Sequence, residues 1–244
     1  MDEMTHFFQR KDFTVTHAEK QFFQQGKDVH YDLTYFWFQP EGAPYPPGLK
    51  FPLVLILHGT PGNTYAGKFL ITQKMQLDFP AFIVAPVLQT GWTWANPLQI
   101  EGHPEISVKP HLVEALPGAV QLVASLAQQY PVDTSRIYVI GCSEGGTGAY
   151  GAVRDYADVF AAAVPISGVW GLRDAPKMTQ TPMWAFHGAL DSVLPADNAS
   201  NLNAKIKQSG GNAIYTEFPD MGHDCPSPRL YSQVMWKWLF SQHK

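Results

Sequence analysis

The chain has 244 residues, 45% hydrophobic and 16% charged, which is ample for a sizeable core and argues against a disordered segment. The formal net charge of −4 is mild and no run of Lys or Arg stands out, so neither nucleic acid nor an anionic membrane is an expected partner. No stretch approaches the apolar length of a membrane span, residues 1–11 lack the apolar centre of a signal peptide, and two cysteines are too few for a disulfide framework. Read as it stands, the chain is expected to be soluble and cytoplasmic; an export signal removed beforehand would leave the same picture, with secretion as the expectation.

Residues 28–39 alternate and are rich in aromatic and β-branched types, which predicts an antiparallel edge or hairpin strand. A Pro/Gly-rich connection over 40–50 leads to 51–57 (FPLVLIL), an almost continuous apolar run typical of a strand buried on both faces. Strand and helix then alternate. Strands are predicted over 81–86, 136–141, 160–167, 182–188 and 213–219, and helices over 112–130, 145–157, 197–211 and 228–240. Such alternation implies right-handed crossovers and a mostly parallel sheet with helices on both faces. The expected architecture is an α/β three-layer sandwich, a single domain over 1–244, with antiparallel strands at its N-terminal side.

The sharpest chemical signal is Gly141-Cys142-Ser143-Glu144-Gly145-Gly146, which fits G-x-S-x-G. The bare string occurs by chance in Gly-rich turns. Here it lies between a predicted strand and a predicted small-residue helix, where the tight turn lifts a serine hydroxyl above the sheet. The helix N-terminus adds partial positive charge where an oxyanion would form.

A serine hydroxyl needs a base, and in this arrangement the order along the chain is Ser, acid, His. His223, in the loop after the strand 213–219, is the candidate base, against the bland reading of a surface loop histidine. Asp191 follows the strand 182–188 and is the candidate acid that would fix the imidazole tautomer. Asp197 is the fallback but reads as a helix N-cap. Asp220 and Asp224 flank His223 too closely to orient its ring. The oxyanion donors expected are the backbone N–H groups of Thr60, in the loop after 51–57, and of Glu144. His58 and His187 read as structural, and His103 and His111 show no metal-ligand spacing. No metal and no cofactor are implied.

These residues resemble the α/β-hydrolase superfamily, and within it the small esterase and peptidase group related to polyhydroxybutyrate depolymerases, feruloyl esterases and the catalytic domain of prolyl oligopeptidases. The resemblance covers about residues 28–240, through FPLVLILHGTPGN, FPAFIVAP, YPVDTSRIYVIGCSEGGTGAY, FAAAVPISG, PMWAFHGALDSVLP and TEFPDMGHD. It implies the fold and a Ser-His-Asp triad more sharply than a substrate. Two departures stand out. Glu144 replaces the usual apolar residue or Gln, which sets a carboxylate beside the oxyanion site, and Thr60-Pro61 replaces a Gly-rich pair.

In this superfamily large lids often follow the strand that here is 160–167. The connection 168–181 is short, so an open cleft without a large lid is expected. Trp92, Trp94 and Trp170 fall in loops at the C-terminal ends of strands, where ligands bind in open α/β sheets. They could wall a substrate site, or pack the core. The expected activity is ester cleavage through an acyl-enzyme on a small-molecule ester. A peptidase or thioesterase on the same triad is the alternative, and a non-catalytic binding module of the same fold is the reading from another class. Oligomeric state is left open.

The resemblance also bears on the cysteines. Some tannase- and feruloyl-esterase-like enzymes link a Cys beside the Ser to a Cys beside the His, which here would be Cys142 and Cys225. Asp224 offsets the second Cys by one position, and the absence of an export signal favours thiols. Two free thiols are therefore the expectation, with the bridge as its alternative.

Overall fold

The structure is a computed structural model that describes residues 9–18, 28–60, 62, 64–97, 99–104, 106 and 112–244. Strand β1 (Gln9–Ala18) and strand β2 (Asp28–Phe38) form an antiparallel pair. Strands β3 (Phe51–Leu57) and β4 (Phe82–Pro86) follow, separated by two short helices, α1 (Tyr65–Leu70) and α2 (Gln73–Asp78). Trp92–Thr93 (β5) and Val113–Glu114 (β6) make a small parallel sheet of their own. Helix α3 (Leu116–Gln129), strand β7 (Val132–Cys142), helix α4 (Glu144–Asp155) and strand β8 (Ala162–Ile166) come next. Strand β9 (Met183–Gly188), helix α5 (Ala196–Gln208), strand β10 (Ala213–Phe218) and helix α6 (Gln233–Phe240) complete the order.

Eight strands form one sheet in the order β1-β2-β4-β3-β7-β8-β9-β10. From β4 to β10 every neighbouring pair is parallel, while β2 runs antiparallel to both β1 and β4. Alternation along each strand builds the two faces. Leu53, Leu55 and Leu57 of β3 join Ile137 and Val139 of β7 under α3, α4 and α5. Val54 and Ile56 join Tyr138, Ile140 and Cys142 on the opposite face, against α1 and α6. This is the expected three-layer α/β-hydrolase sandwich with antiparallel strands at its start.

Several boundaries differ from the sequence expectation. Strand β2 is a hairpin strand as one of the two expected readings had it, pairing with β1, an N-terminal strand not anticipated, and also with β4, so β1 and not β2 is the sheet edge. The helix expected from residue 112 begins at Leu116, because Pro117 has no N–H and fits only a helix's first turn. Residues 228–240 divide into a 3₁₀ turn, Pro228–Tyr231, and α6, whose N-cap Ser232 accepts from the Met235 N–H at 3.2 Å.

Candidate active site

The Ser143 end of the site is shaped by glycine. Ser143 sits between β7 and α4 with φ of 62°, a left-handed conformation that costs a non-glycine residue energy and is held by its surroundings. A Cβ on Gly141 would meet the Gly145 carbonyl oxygen at 2.2 Å. One on Gly145 would meet the Leu57 carbonyl oxygen at 1.9 Å, and one on Gly146 the Ile166 carbonyl oxygen at 2.2 Å. The strand-to-helix turn therefore packs backbone on backbone. The Ser143 N–H donates to Ile166 O at 2.9 Å, which ties the elbow to β8.

Gly59 closes the other side, where an added Cβ would stand 2.9 Å from the Ser143 Cβ. His58 braces this loop and does not reach Ser143. Its Nδ1–H donates to Gly59 O at 2.9 Å, its Nε2 accepts from the Leu88 N–H at 3.0 Å, and its own carbonyl accepts from the Trp94 indole at 2.8 Å. Burial lowers the His58 pKa, against smaller raising effects of Gly59 O and the Glu144 charge, and keeps the ring neutral.

His223 Nε2 lies 2.8 Å from Ser143 Oγ, and His223 Nδ1 lies 2.7 Å from Asp191 Oδ2. Three residues far apart in sequence thus form one continuous hydrogen-bonded chain. Asp191 is fully enclosed. Its Oδ1 accepts from the N–H groups of Val193 and Leu194, both at 2.9 Å. Its Oδ2 accepts from His223 and also from His187, whose Nε2 is 3.2 Å away. Burial by itself would raise the Asp191 pKa. The donors from His187, His223, Leu194 and Val193 outweigh it and hold the carboxyl well below the usual carboxylate range.

His187 reads as structural in the sequence, which does not foretell its contact with Asp191. It ends β9, is fully buried, and touches the Asp191 carboxylate and Leu194 O (3.1 Å) with the same nitrogen. Both neighbours are acceptors, so the Nε2 carries the proton. The signal available was its spacing of four from Asp191 across a tight turn, closed by the Asp191 N–H to Gly188 O bond. Asp197, the fallback acid, lies instead in the first turn of α5 behind the N-cap Pro195, with its carboxylate 3.0 Å from His103 Nε2.

Cys142 and Cys225 form a disulfide with Cα atoms 5.9 Å apart, and this corrects the expectation of free thiols. The offset by Asp224 does not turn Cys225 away. The chain doubles back there, with Asp224 N–H on Gly222 O and Ser227 N–H on Asp224 O, and the Tyr231 hydroxyl donates to Cys225 O at 2.9 Å. Cys142 points to the α6 face of the sheet, where Cys225 meets it beneath the elbow.

A cleft of about 200 Å³ opens beside Ser143. Ala95, Pro97, Ile100, Val169 and Leu194 give it apolar walls, while Thr60, Thr93, Asn96, Glu144 and Thr147 bring polar groups. None of the three tryptophans lines it, which corrects their assignment as substrate contacts. Trp94 and Trp170 are buried in the core, and Trp92 packs edge-on against Tyr31 at 5.5 Å. The reason is local alternation: where the chain is extended successive side chains point opposite ways, so Thr93, Ala95 and Val169 line the cleft while Trp94 and Trp170 between and beside them face inward. Among the described residues no three His, Cys, Asp or Glu side chains gather as a metal site, and His111 lies outside those residues. No helix among them is long and apolar enough to cross a membrane.

Residues 50–234 match the family model described as Phospholipase/Carboxylesterase. The chain belongs to the phospholipase/carboxylesterase family. The chain is 28% identical over 145 residues to a bifunctional acetylxylan esterase/xylanase of Neocallimastix patriciarum, covering 59% of this chain and 20% of that protein. It is 29% identical over 145 residues to a poly(3-hydroxyalkanoate) depolymerase C of Paucimonas lemoignei, covering 56% and 31%. The carboxylesterase-family chain thus matches only about a fifth to a third of the length of these relatives. Among solved structures, a thermostable esterase superposes with a TM-score of 0.75 at 25% identity, covering 96% of this chain and 63% of that one. A ferulic acid esterase superposes with a TM-score of 0.64 at 15% identity, covering 95% and 97%, which speaks for the fold alone.

Proposed function

We propose that this protein is a serine esterase that cleaves small carboxylic esters through a covalent acyl-enzyme. The observation that carries the reading is the unbroken contact chain from Ser143 Oγ through His223 to Asp191. In the resting state His223 holds its proton on Nδ1, donated to Asp191, and offers the Nε2 lone pair to the Ser143 hydroxyl. Ser143 Oγ attacks the ester carbonyl as its proton passes to Nε2. Asp191 then stabilises the imidazolium.

The tetrahedral oxygen takes the negative charge. Its donors are the backbone N–H of Glu144, which at the first turn of α4 has no intrahelical acceptor, and that of Thr60 across the cleft. Collapse expels the alcohol, which leaves with the proton from Nε2. Water, deprotonated in turn by Nε2, attacks the acyl carbon and releases the acid and free Ser143. The cleft is smaller than the pockets of about 300–1,000 Å³ that enclose drug-sized ligands, which favours a compact group next to the scissile bond.

A fluorophosphonate probe tests this reading. It should label the protein once, on the peptide containing Ser143. Ser143→Ala should abolish labelling and lower kcat for 4-nitrophenyl acetate on the order of 10⁵-fold, with thermal stability nearly unchanged. Full esterase activity in this variant would overturn the assignment. The cystine also bears on location: disulfides persist in oxidising surroundings, so we place the protein there and not in the reducing cytoplasm.

A further inference from the structure

The Glu144 side chain is a feature of the elbow that ester hydrolysis by itself does not use. Glu144 follows Ser143 directly and borders the cleft together with it. Its Oε2 accepts from the Thr60 hydroxyl at 3.1 Å, a contact between residues 84 apart that spans the two loops flanking the nucleophile. Among the described residues Thr60 is its one hydrogen-bonding partner, and no Lys or Arg lines the cleft. Among the described residues the remaining polar lining consists of threonine hydroxyls, the Asn96 amide and Ser143. The charge is felt in the site, since it opposes the larger lowering of the His58 pKa by burial. A carboxylate placed here disfavours any further negative charge nearby, including one brought by a ligand. Among the described residues its other oxygen has no hydrogen-bond donor.

We propose that Glu144 selects the substrate by charge: the cleft takes esters whose bound portion presents a hydroxyl or ammonium donor and turns away those that carry a carboxylate. This rests on the esterase reading, and it assigns the Glu144 side chain a role separate from that of its backbone N–H. The Thr60 hydroxyl fixes one carboxylate oxygen, so the other faces the substrate without a long search over rotamers. Hydroxyl and ammonium are one chemistry at this oxygen, that of a donor to a carboxylate. They differ in response to salt, because only the ammonium gains from unscreened charge.

The test compares wild type with Glu144→Gln on 4-nitrophenyl benzoates carrying a 4-methyl, 4-hydroxymethyl, 4-aminomethyl or 4-carboxylate group. Gln keeps an oxygen for the Thr60 hydroxyl and removes the charge. Turnover of 4-nitrophenyl acetate reports the ester chemistry on its own, so its absence in wild type defeats the esterase reading and not this one. The readout is each ester's kcat/KM relative to the methyl ester, taken from competition against the acetate where turnover is slow, so that any uniform effect of the substitution cancels.

Wild type should disfavour the carboxylate ester and favour the ammonium and hydroxyl esters by roughly two- to fivefold each, and Glu144→Gln should erase the charge preference. Raising salt from about 0.01 M to about 1 M should shrink the wild-type preference for ammonium over carboxylate while leaving the hydroxyl preference in place. This second measurement needs no variant. Equal ratios in wild type and variant, or a wild-type preference for ammonium over carboxylate that ignores salt, overturns the proposal.

Discussion

Ser143 and His223 meet at 2.8 Å, yet the two sides of that contact are built by unlike means. On the serine side the restraint is steric: Gly141, Gly145, Gly146 and Gly59 let backbone pack so closely that no side chain could be added. On the histidine side the restraint is polar and covalent. Four N–H donors surround the Asp191 carboxylate, and a disulfide ties the segment after His223 to the residue before Ser143. The glycine packing of the serine side therefore answers to neither pH nor redox state in itself, although Cys142 there shares the cystine. The histidine end depends on both, and substitutions there separate the two designs.

The largest effect should follow from Asp191→Asn. Its amide oxygen can still accept from Val193 and Leu194, but its NH₂ would then face the His223 Nδ1–H. The ring answers by moving its proton to Nε2, where it can no longer accept from Ser143. The expected loss is on the order of 10⁴ in kcat, with Asp197→Asn nearly silent by comparison. Stability also changes with a defined sign. Because the folded-state Asp191 pKa is depressed, its contribution is present above the unfolded value of about 4 and fades as pH falls toward the folded one. The stability gap between wild type and variant should thus narrow below about pH 4, as measured by urea melts. A larger loss of kcat in Asp197→Asn would reassign the acid.

The same division explains what the sequence made legible. Glycines that admit backbone contact are visible as residue types at fixed spacing, so Ser143 and the strand and helix around it could be placed directly. Apolar runs such as 51–57 fixed the sheet's central strands for a similar reason. The cleft wall was not legible, because whether Trp94 or Ala95 faces the ligand depends on a one-residue alternation within an irregular loop. Cys225 pairs with Cys142 only because the chain doubles back after His223, a turn that no local pattern announces. His187 appeared structural because its partner depends on how tightly the turn to Asp191 closes. Strand β1 escaped notice because its polar and charged residues suit an exposed edge as well as a loop.

Removing the cystine should produce the next largest effect. The bridge closes a loop with a sequence separation of 83, for which chain entropy predicts a stabilisation of about 4–5 kcal/mol, with about 2–4 typical of measured disulfides. The double variant Cys142→Ala/Cys225→Ala should unfold at lower urea by that margin. Dithiothreitol should destabilise wild type and leave the double variant untouched. Because the bridge fixes the histidine side against the elbow, kcat should fall together with stability in reduced wild type, while the fluorophosphonate still reacts with Ser143 at a reduced rate. Non-reduced intact mass about 2 Da below the reduced value checks the bridge, and two titratable thiols in the unfolded, unreduced protein would exclude it.

The smallest effect, and the finest separation of the two designs, should come from His187→Leu. Leucine fills a similar volume on β9 but cannot donate, so Asp191 Oδ2 keeps His223 alone and Leu194 O loses its buried partner. Losing a hydrogen bond to a charged group should cost about 1.5–3 kcal/mol, partly offset because the His187 Nδ1, buried without a partner among the described residues, disappears as well. Catalysis should drop only several-fold, since the Asp191–His223 contact survives and the turn amides of Val193 and Leu194 still hold Oδ1. The pH response is the distinguishing readout. With one donor gone, the folded-state Asp191 pKa rises toward its ordinary value, so the stability it contributes is lost at a higher pH than in wild type. The acid-unfolding midpoint of His187→Leu should therefore move up relative to wild type. His187→Gln, which restores an N–H on a side chain able to reach Asp191, should move it part of the way back. A variant that loses stability equally at every pH would show that His187 merely fills space beneath the turn.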